Sequence, residues 1–200
     1  MVKAFLFDYD GVISQGVDVT LPSKHLADST GITTDRASEL LKSIWEDYST
    51  GVLTTDGMWE IIEKEIGRPV PAEKRNIWFT WEQLTPLPFM LEFVKELRAA
   101  GYPVGLISNV FHDTAQIIRQ NGGYDGFDFL VLSYEVGTRK PQPRMYEIAL
   151  EKLDGLEPEE VVYLDDRESL VQAARELGFQ SIYVTDQAKA IAEVKQLLGW

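Results

Sequence analysis

The chain has 200 residues, of which 44% are hydrophobic and 26% charged, and this predicts one globular domain or one domain with a modest insertion. The formal net charge is −13 and Lys and Arg form no cluster, which argues against nucleic acid as a partner. Cysteine is absent, so disulfides and thiolate metal sites are excluded and a cytoplasmic location is expected. Because no run of about 18 apolar residues occurs, we expect no membrane span and no signal peptide.

The first predicted element is a strand formed by the apolar run from Ala4 to Phe7. Such a run is typical of a strand that is buried on both faces of its sheet. Asp8 and Asp10 follow it directly, with Gly11 after them. Because residues two apart share a face of an extended chain, these carboxylates are expected to converge at the edge where open α/β sheets bind ligands. Taken alone, the same residues also suit an ordinary polar turn.

Residues 16–85 differ from the rest of the chain, because four helices and no strand are predicted there. The second helix has a strong amphipathic pattern, with apolar and aromatic residues at Ala37, Leu40, Leu41, Ile44, Trp45 and Tyr48. The fourth is predicted to begin at Pro71 and to face inward with Ile77, Trp78, Trp81 and Leu84. We therefore predict a core domain of residues 1–15 and 86–200, and an inserted four-helix cap domain of residues 16–85.

Strands and helices alternate over the remaining residues. Buried strands are predicted at 103–107, 128–132, 161–164 and 181–184, and a helix follows each of them. This alternation indicates βαβ units. The predicted fold class is α/β, with a doubly wound, Rossmann-like and mainly parallel sheet.

Polar residues follow three of these later strands. Ser108 and Asn109 can donate hydrogen bonds to a phosphate oxygen, although capping of the next helix is the ordinary alternative. Lys140 can hold nearby carboxylates ionised and neutralise a phosphate, whereas a lysine out of context is usually solvated. Asp165 and Asp166 form a second acidic pair. Two acidic pairs at one edge of a sheet suggest a shared cation with oxygen ligands, Mg²⁺ by preference.

The order and spacing of these motifs resemble the haloacid dehalogenase-like (HAD) hydrolase superfamily, in its phosphatase branch with a helical cap. The resemblance covers essentially the whole chain. Residues 137–141 and 165–167 are most similar to the subgroup that holds sugar-phosphate phosphatases and the N-terminal phosphatase domain of soluble epoxide hydrolase. The resemblance implies a Mg²⁺-dependent phosphomonoester hydrolase that acts on a small metabolite through an aspartyl-phosphate. We rank sugar phosphates first among its substrates.

The resemblance also implies a role for each residue of the motifs. Asp8 is the nucleophile, and Asp10 protonates the leaving oxygen and then takes a proton from water. Ser108 and Asn109 hold phosphoryl oxygens or position the surroundings of the nucleophile. Lys140 bridges the nucleophile and the phosphoryl group.

The implied metal site uses the second acidic pair. The carboxylates of Asp8 and Asp166 and the backbone carbonyl of Asp10 hold Mg²⁺, and Asp165 acts through water. Many relatives have Asn or Asp at the position of Leu170. The leucine is expected to pack on a helix face. It would then not make the polar contact that Asn or Asp at this position makes beyond the metal ligands.

Three other functions stay open at this point. A 2-haloacid dehalogenase of the same fold needs neither Mg²⁺ nor a general acid, and Asp10 argues against it. A phosphomutase would differ only in the fate of the leaving group. A phospho-accepting receiver or an idle binding domain has no use for a helical insertion, which suits a lid. No pattern in the sequence specifies an oligomeric state. The candidates for substrate specificity are Ile13, Gln15, Tyr48, Thr50 and His112.

Overall fold

The computed structural model describes residues 1–75 and 78–200 and contains a five-stranded sheet in the order β3-β2-β1-β4-β5. The strands are β1 (Ala4–Phe7), β2 (Val104–Ser108), β3 (Phe129–Leu132), β4 (Val161–Asp165) and β5 (Gln180–Tyr183). Every neighbouring pair of strands is parallel. All five carboxyl ends therefore lie at one edge of the sheet, and the α/β prediction is confirmed.

Between β1 and residue 85 the structure describes helices joined by loops, and no named strand lies among the described residues. The helices are α1 (Leu21–Thr30), α2 (Thr34–Ser49), α3 (Thr55–Ile66) and the single turn α4 (Trp81–Leu84). Threonine hydroxyls cap two of them, because Thr33 accepts from the backbone N–H of Arg36 and Thr54 accepts from that of Gly57.

The prediction of one continuous helix from Pro71 to Leu84 is wrong. A 3₁₀ turn at Ala72–Lys74 and the short α4 take its place, and residues 78–80 between them are not helical. The side-chain oxygen of Gln83 accepts from the backbone N–H of Thr80 at 2.8 Å, so Thr80 begins a new helix where the apolar spacing suggested continuation. Ile77, predicted to face inward, lies outside the described residues.

The rest of the chain supplies helices to both faces of the sheet. They are α5 (Pro88–Ala99), α6 (His112–Gln120), α7 (Ser133–Val136), α8 (Pro143–Glu151), α9 (Glu168–Glu176) and α10 (Gln187–Leu198). Phe5 and Phe7 of β1 pack with α5, α6 and α10, whereas Ala4 and Leu6 pack with α8 and α9. Within the described ranges, no helix is long and apolar enough to cross a membrane.

Helices α1 to α3 share a core of their own, which includes Leu26, Leu41, Met58, Trp59 and Ile62. Phe111, just before α6, is also part of this core. Its ring centroid lies 4.8 Å from that of Trp45, 5.0 Å from Tyr48 and 4.5 Å from Trp78. Phe111 therefore ties the helical insert to the sheet-bearing part of the chain. The division into core and cap domains stays a prediction.

Replacing Phe111 tests this connection. We expect Phe111→Ala to lower the free energy of unfolding in urea by about 3–5 kcal/mol, because a buried ring is lost from a packed cluster. Phe89→Ala is the matched control, since Phe89 is 42% exposed and its loss should cost little. Equal losses for the two variants would show that Phe111 does not hold the insert in place.

Candidate active site

A buried ion-pair cluster lies at the carboxyl edge of the sheet. The Nζ of Lys140 lies 2.9 Å from Oδ1 of Asp8 and 2.7 Å from Oδ2 of Asp165. Asp8 follows β1 and Asp165 ends the neighbouring strand β4, whereas Lys140 comes from the segment before α8. Lys140 is only 1% exposed, so it is not the solvated surface lysine that the sequence left open.

Asp165 is oriented by several hydrogen bonds. Its Oδ1 accepts from the backbone N–H of Arg167 at 2.8 Å, and its Oδ2 accepts from the Tyr163 hydroxyl as well as from Lys140. Both oxygens of this fully buried carboxylate therefore have partners. Asp165 is placed to hold Lys140, and its predicted contact with a metal through water stays a prediction.

Asp166 completes a group of three carboxylates. Asp8, Asp165 and Asp166 each offer one oxygen, and these oxygens lie within 4.8 Å of one another. The loop after β1 approaches Asp166 closely at Gly11, whose φ is +74°. A Cβ on Gly11 would collide with the Asp166 carboxylate and lie 2.9 Å from the Cβ of Asp166. Only glycine leaves both residues in place.

The cluster carries more negative charge than Lys140 balances. Burial raises the pKa of Asp8 to about 7, which Lys140 opposes and Asp165 reinforces. Burial also raises the pKa of Asp10 to about 6, and the neighbouring Asp166 carboxylate acts in the same direction. The pKa of Asp166 is raised by burial and then by Asp165. Burial alone would lower the pKa of Lys140, but Asp165 and Asp8 raise it, so the ammonium form persists.

The side chain of Asn109 holds the backbone of Lys140. Its Oδ1 accepts from the Lys140 N–H at 2.8 Å, and its Nδ2 donates to the Lys140 carbonyl at 2.9 Å. Asn109 thus positions the lysine from 31 residues away in sequence. Its predicted contact with phosphate stays a prediction.

Ser108 and Asp10 line a cavity that a ligand could enter. Ser108 ends β2 and is 4% exposed, and its hydroxyl has no hydrogen-bond partner among the residues the structure describes. Asp10 is half-buried and its Oδ1 accepts from the Ser14 hydroxyl at 3.3 Å. Both residues border the same cavity, so a ligand there could meet a free hydroxyl and a carboxyl group together.

Two adjoining cavities meet beside Asp10. The smaller one is polar and is lined by residues that include Asp8, Lys140, Asp166 and Leu170. The larger one is mostly apolar, and the two share Asp10, Asn109 and Arg167 as walls. Leu170 is buried, as its predicted packing role requires, and it also borders the polar cavity.

Sequence reasoning missed several residues around these cavities. The Tyr163 hydroxyl on Asp165 could have been found, because the two residues stand two apart on β4 and therefore share a face. Phe111 also borders the apolar cavity, from a segment that no motif singled out. The candidates for specificity line neither of the two cavities: these are Ile13, Gln15, Tyr48, Thr50 and His112.

Comparison with known proteins identifies the family of the chain. A family model described as haloacid dehalogenase-like hydrolase matches residues 2–178. The chain is 26% identical over 198 residues to sesquiterpene phosphatase astK of Aspergillus oryzae, a match that covers 98% of this chain and 97% of that protein. It is 33% identical over 117 residues to bifunctional epoxide hydrolase 2 of Rattus norvegicus, covering 55% of this chain and 21% of that protein. The chain therefore spans only a small part of the rat protein.

A solved structure shows the same fold. A HAD family enzyme of Bacteroides thetaiotaomicron, crystallised with magnesium and inorganic phosphate, superimposes with a TM-score of 0.78 and 22% sequence identity. The alignment covers 95% of this chain and 99% of that one. At this identity the similarity establishes the shared fold alone.

The close approach of Gly11 to Asp166 can be tested by adding a methyl group. We expect Gly11→Ala to lower the free energy of unfolding by more than the roughly 1–2 kcal/mol that a left-handed backbone costs an alanine, because the methyl group also displaces Asp166. Gly137→Ala is the matched control: its φ is +70° and no atom lies within 4 Å of an added Cβ. Urea unfolding of both variants provides the measurement, and equal losses would contradict the prediction.

Proposed function

The chain belongs to the haloacid dehalogenase-like hydrolase family, and we propose that it is a Mg²⁺-dependent phosphomonoesterase of a small phosphorylated metabolite. Membership confirms the resemblance drawn from the motifs and makes the protein a hydrolase. The observation that carries the proposal is the buried cluster in which Lys140 bridges Asp8 and Asp165 beside Asp166. The phosphatase name of the Aspergillus relative and the magnesium and phosphate bound to the Bacteroides enzyme support it.

The residues present fit Mg²⁺. Asp8 and Asp166 offer carboxylate oxygens, the hard ligands that this ion prefers, and the backbone carbonyl of Asp10 would add a third. Burial raises the pKa values of Asp8 and Asp166, and the neighbouring Asp165 carboxylate acts in the same direction, so a bound cation would favour their ionised forms. When bound, the ion supplies the positive charge that lets a carboxylate approach an anionic phosphate and neutralises charge that develops there.

Asp8 and Asp10 divide the chemistry between them. The Asp8 carboxylate attacks phosphorus and forms an aspartyl-phosphate, while the bond from phosphorus to the leaving oxygen breaks. Asp10 gives its proton to that oxygen and the alcohol leaves. Asp10 then takes a proton from water, whose oxygen attacks phosphorus and releases inorganic phosphate from Asp8. A pKa of about 6 suits a group that must both give and accept this proton.

The other residues bind and orient. Lys140 holds Oδ1 of Asp8 and brings an ammonium to the phosphoryl oxygens, and Asp165 keeps the lysine in place. Ser108 offers its unpartnered hydroxyl to a phosphoryl oxygen. Asn109 positions Lys140 through its backbone.

Several narrower predictions stay predictions. They include the preference for sugar phosphates, the cytoplasmic location and the separate core and cap domains. The carboxyl group of Asp10 supports phosphate hydrolysis over dehalogenation, because displacement of a halide needs no proton donor. Transfer of the phosphoryl group back to the substrate, as in a mutase, would leave no inorganic phosphate to measure.

Removing the nucleophile or the metal tests the chemistry. We expect release of phosphate from phenyl phosphate to fall at least about 10³-fold in Asp8→Asn, since no carboxylate remains to attack. EDTA should abolish the wild-type activity and added Mg²⁺ should restore it. Circular dichroism of the variant shows whether it is folded. Activity that survives both treatments would disprove the proposal.

Asn109 provides a test of lysine positioning. We expect Asn109→Ala to lower kcat about 10–100-fold, because the Lys140 backbone loses both of its side-chain partners. Asn121→Ala is the control, since Asn121 donates to the carbonyl of Ile117 at the exposed end of α6. Steady-state kinetics with phenyl phosphate should show full activity in the control. A loss confined to KM would argue that Asn109 only binds substrate.

A further inference from the structure

The apolar cavity beside the polar one lies where the proposed reaction places the leaving group. Its walls come from the insert and from the sheet-bearing part, and they include Val17, Trp45, Phe79, Val110, Phe111 and Ile118. Trp45 lies on α2, whereas Phe111 precedes α6 and Ile118 lies within it. Aromatic and aliphatic side chains from distant segments thus surround one space.

The two cavities meet at Asp10, Asn109 and Arg167. In the proposed reaction the phosphoryl group lies at Asp8 and Lys140 in the polar cavity, and Asp10 protonates the leaving oxygen. The group attached to that oxygen therefore starts at Asp10. The apolar cavity, which Asp10 also borders, is the space next to that group.

A sugar is poorly matched to this space. Each hydroxyl would give up hydrogen bonds to water, and an aromatic or aliphatic wall returns none. The hydroxyl of Tyr9, also at this cavity, already donates to the Leu84 carbonyl at 2.7 Å. An apolar group instead gains free energy when it leaves water. Polar side chains such as Ser49, Ser108 and Arg139 also border the cavity, but most of its exposed surface is apolar, and this favours an apolar leaving group over a sugar.

Thr114 provides a second observation that the cavity is built for a ligand. Its hydroxyl is buried and has no hydrogen-bond partner in the described part of the chain. A threonine within a helix usually bonds back to the preceding turn, and unpaired buried hydroxyls are uncommon. Thr114 borders the cavity, as does Ile118 one turn later on α6. A bound molecule with one polar atom there would supply the missing partner.

We propose that the substrate is the phosphomonoester of an apolar alcohol, whose carbon chain or ring lies in this cavity. The inference rests on the proposed phosphatase activity and names its substrate class. It departs from the preference for sugar phosphates drawn from the sequence motifs.

A series of unbranched alkyl phosphates from methyl to hexyl tests the inference, with glucose 6-phosphate as the polar comparison. The alcohols leave with similar intrinsic ease, so differences in kcat/KM report the cavity. We expect kcat/KM to rise about threefold to fourfold per methylene until the space is filled. Hexyl phosphate should exceed glucose 6-phosphate by more than about tenfold.

The outcomes separate the two proposals. EDTA-sensitive hydrolysis of methyl phosphate with a flat series, or a preference for glucose 6-phosphate, overturns the apolar leaving group and leaves the phosphatase intact. Failure to hydrolyse any ester overturns both.

A variant links the preference to the cavity wall. Trp45→Gln should lower the ratio of kcat/KM for hexyl over methyl phosphate, mostly through KM, whereas Trp45→Phe should retain most of it. Trp200→Gln is the control, because Trp200 is 48% exposed, lies beside Tyr102 and should leave both rates unchanged. An unchanged ratio in folded Trp45→Gln would show that the alkyl chain binds elsewhere.

Discussion

A lysine ammonium taken out of water between two carboxylates is the interaction on which this site depends. Lys140 and Asp165 are almost fully buried, so removing the lysine would leave the Asp165 carboxylate in the protein interior without its counter-charge. The pair joins the loop before α8 to the end of β4, and Asp8 joins both to β1. The Tyr163 hydroxyl donates a hydrogen bond to Asp165, and Asn109 accepts one from the backbone N–H of Lys140, so both charged residues are held in place. The lysine is therefore both a structural support and the proposed partner of the phosphoryl group.

The balance of charge around Lys140 connects the fold to the proposed chemistry. An acidic protein with a net charge of −13 must attract an anionic substrate by a local device. The parallel sheet concentrates the carboxylates of Asp8, Asp10 and Asp166 at one edge, where burial raises their pKa values. A bound divalent cation would offset much of that negative charge. Trp45 of the helical insert lines the adjoining apolar cavity, and Phe111 packs into the core of the insert.

Much of the fold and of the site could be predicted because both follow local rules. Runs of apolar residues marked the strands, and strand ends in a parallel sheet lie at one edge, so the polar residues after them were expected there. The pairing of β1 with β4 then brings Asp8 next to Asp165. The continuous fourth helix was wrong, since apolar spacing does not reveal a competing cap at Thr80. The specificity candidates were chosen from the helical insert and the loop after Asp10, with His112 at the expected entrance, and none of them borders the two cavities.

The amino-acid sequence by itself determined the alternation of strands and helices outside the insert and the two acidic pairs at the strand ends. These depend on residue type, spacing and backbone geometry within a few positions. Only the tertiary structure decided that Asn109 holds the backbone of Lys140 and that Trp45 and Phe111 enclose an apolar space. Such contacts join segments far apart in the chain, and they form only when the insert and the sheet pack against each other. No local pattern encodes which side chains then meet.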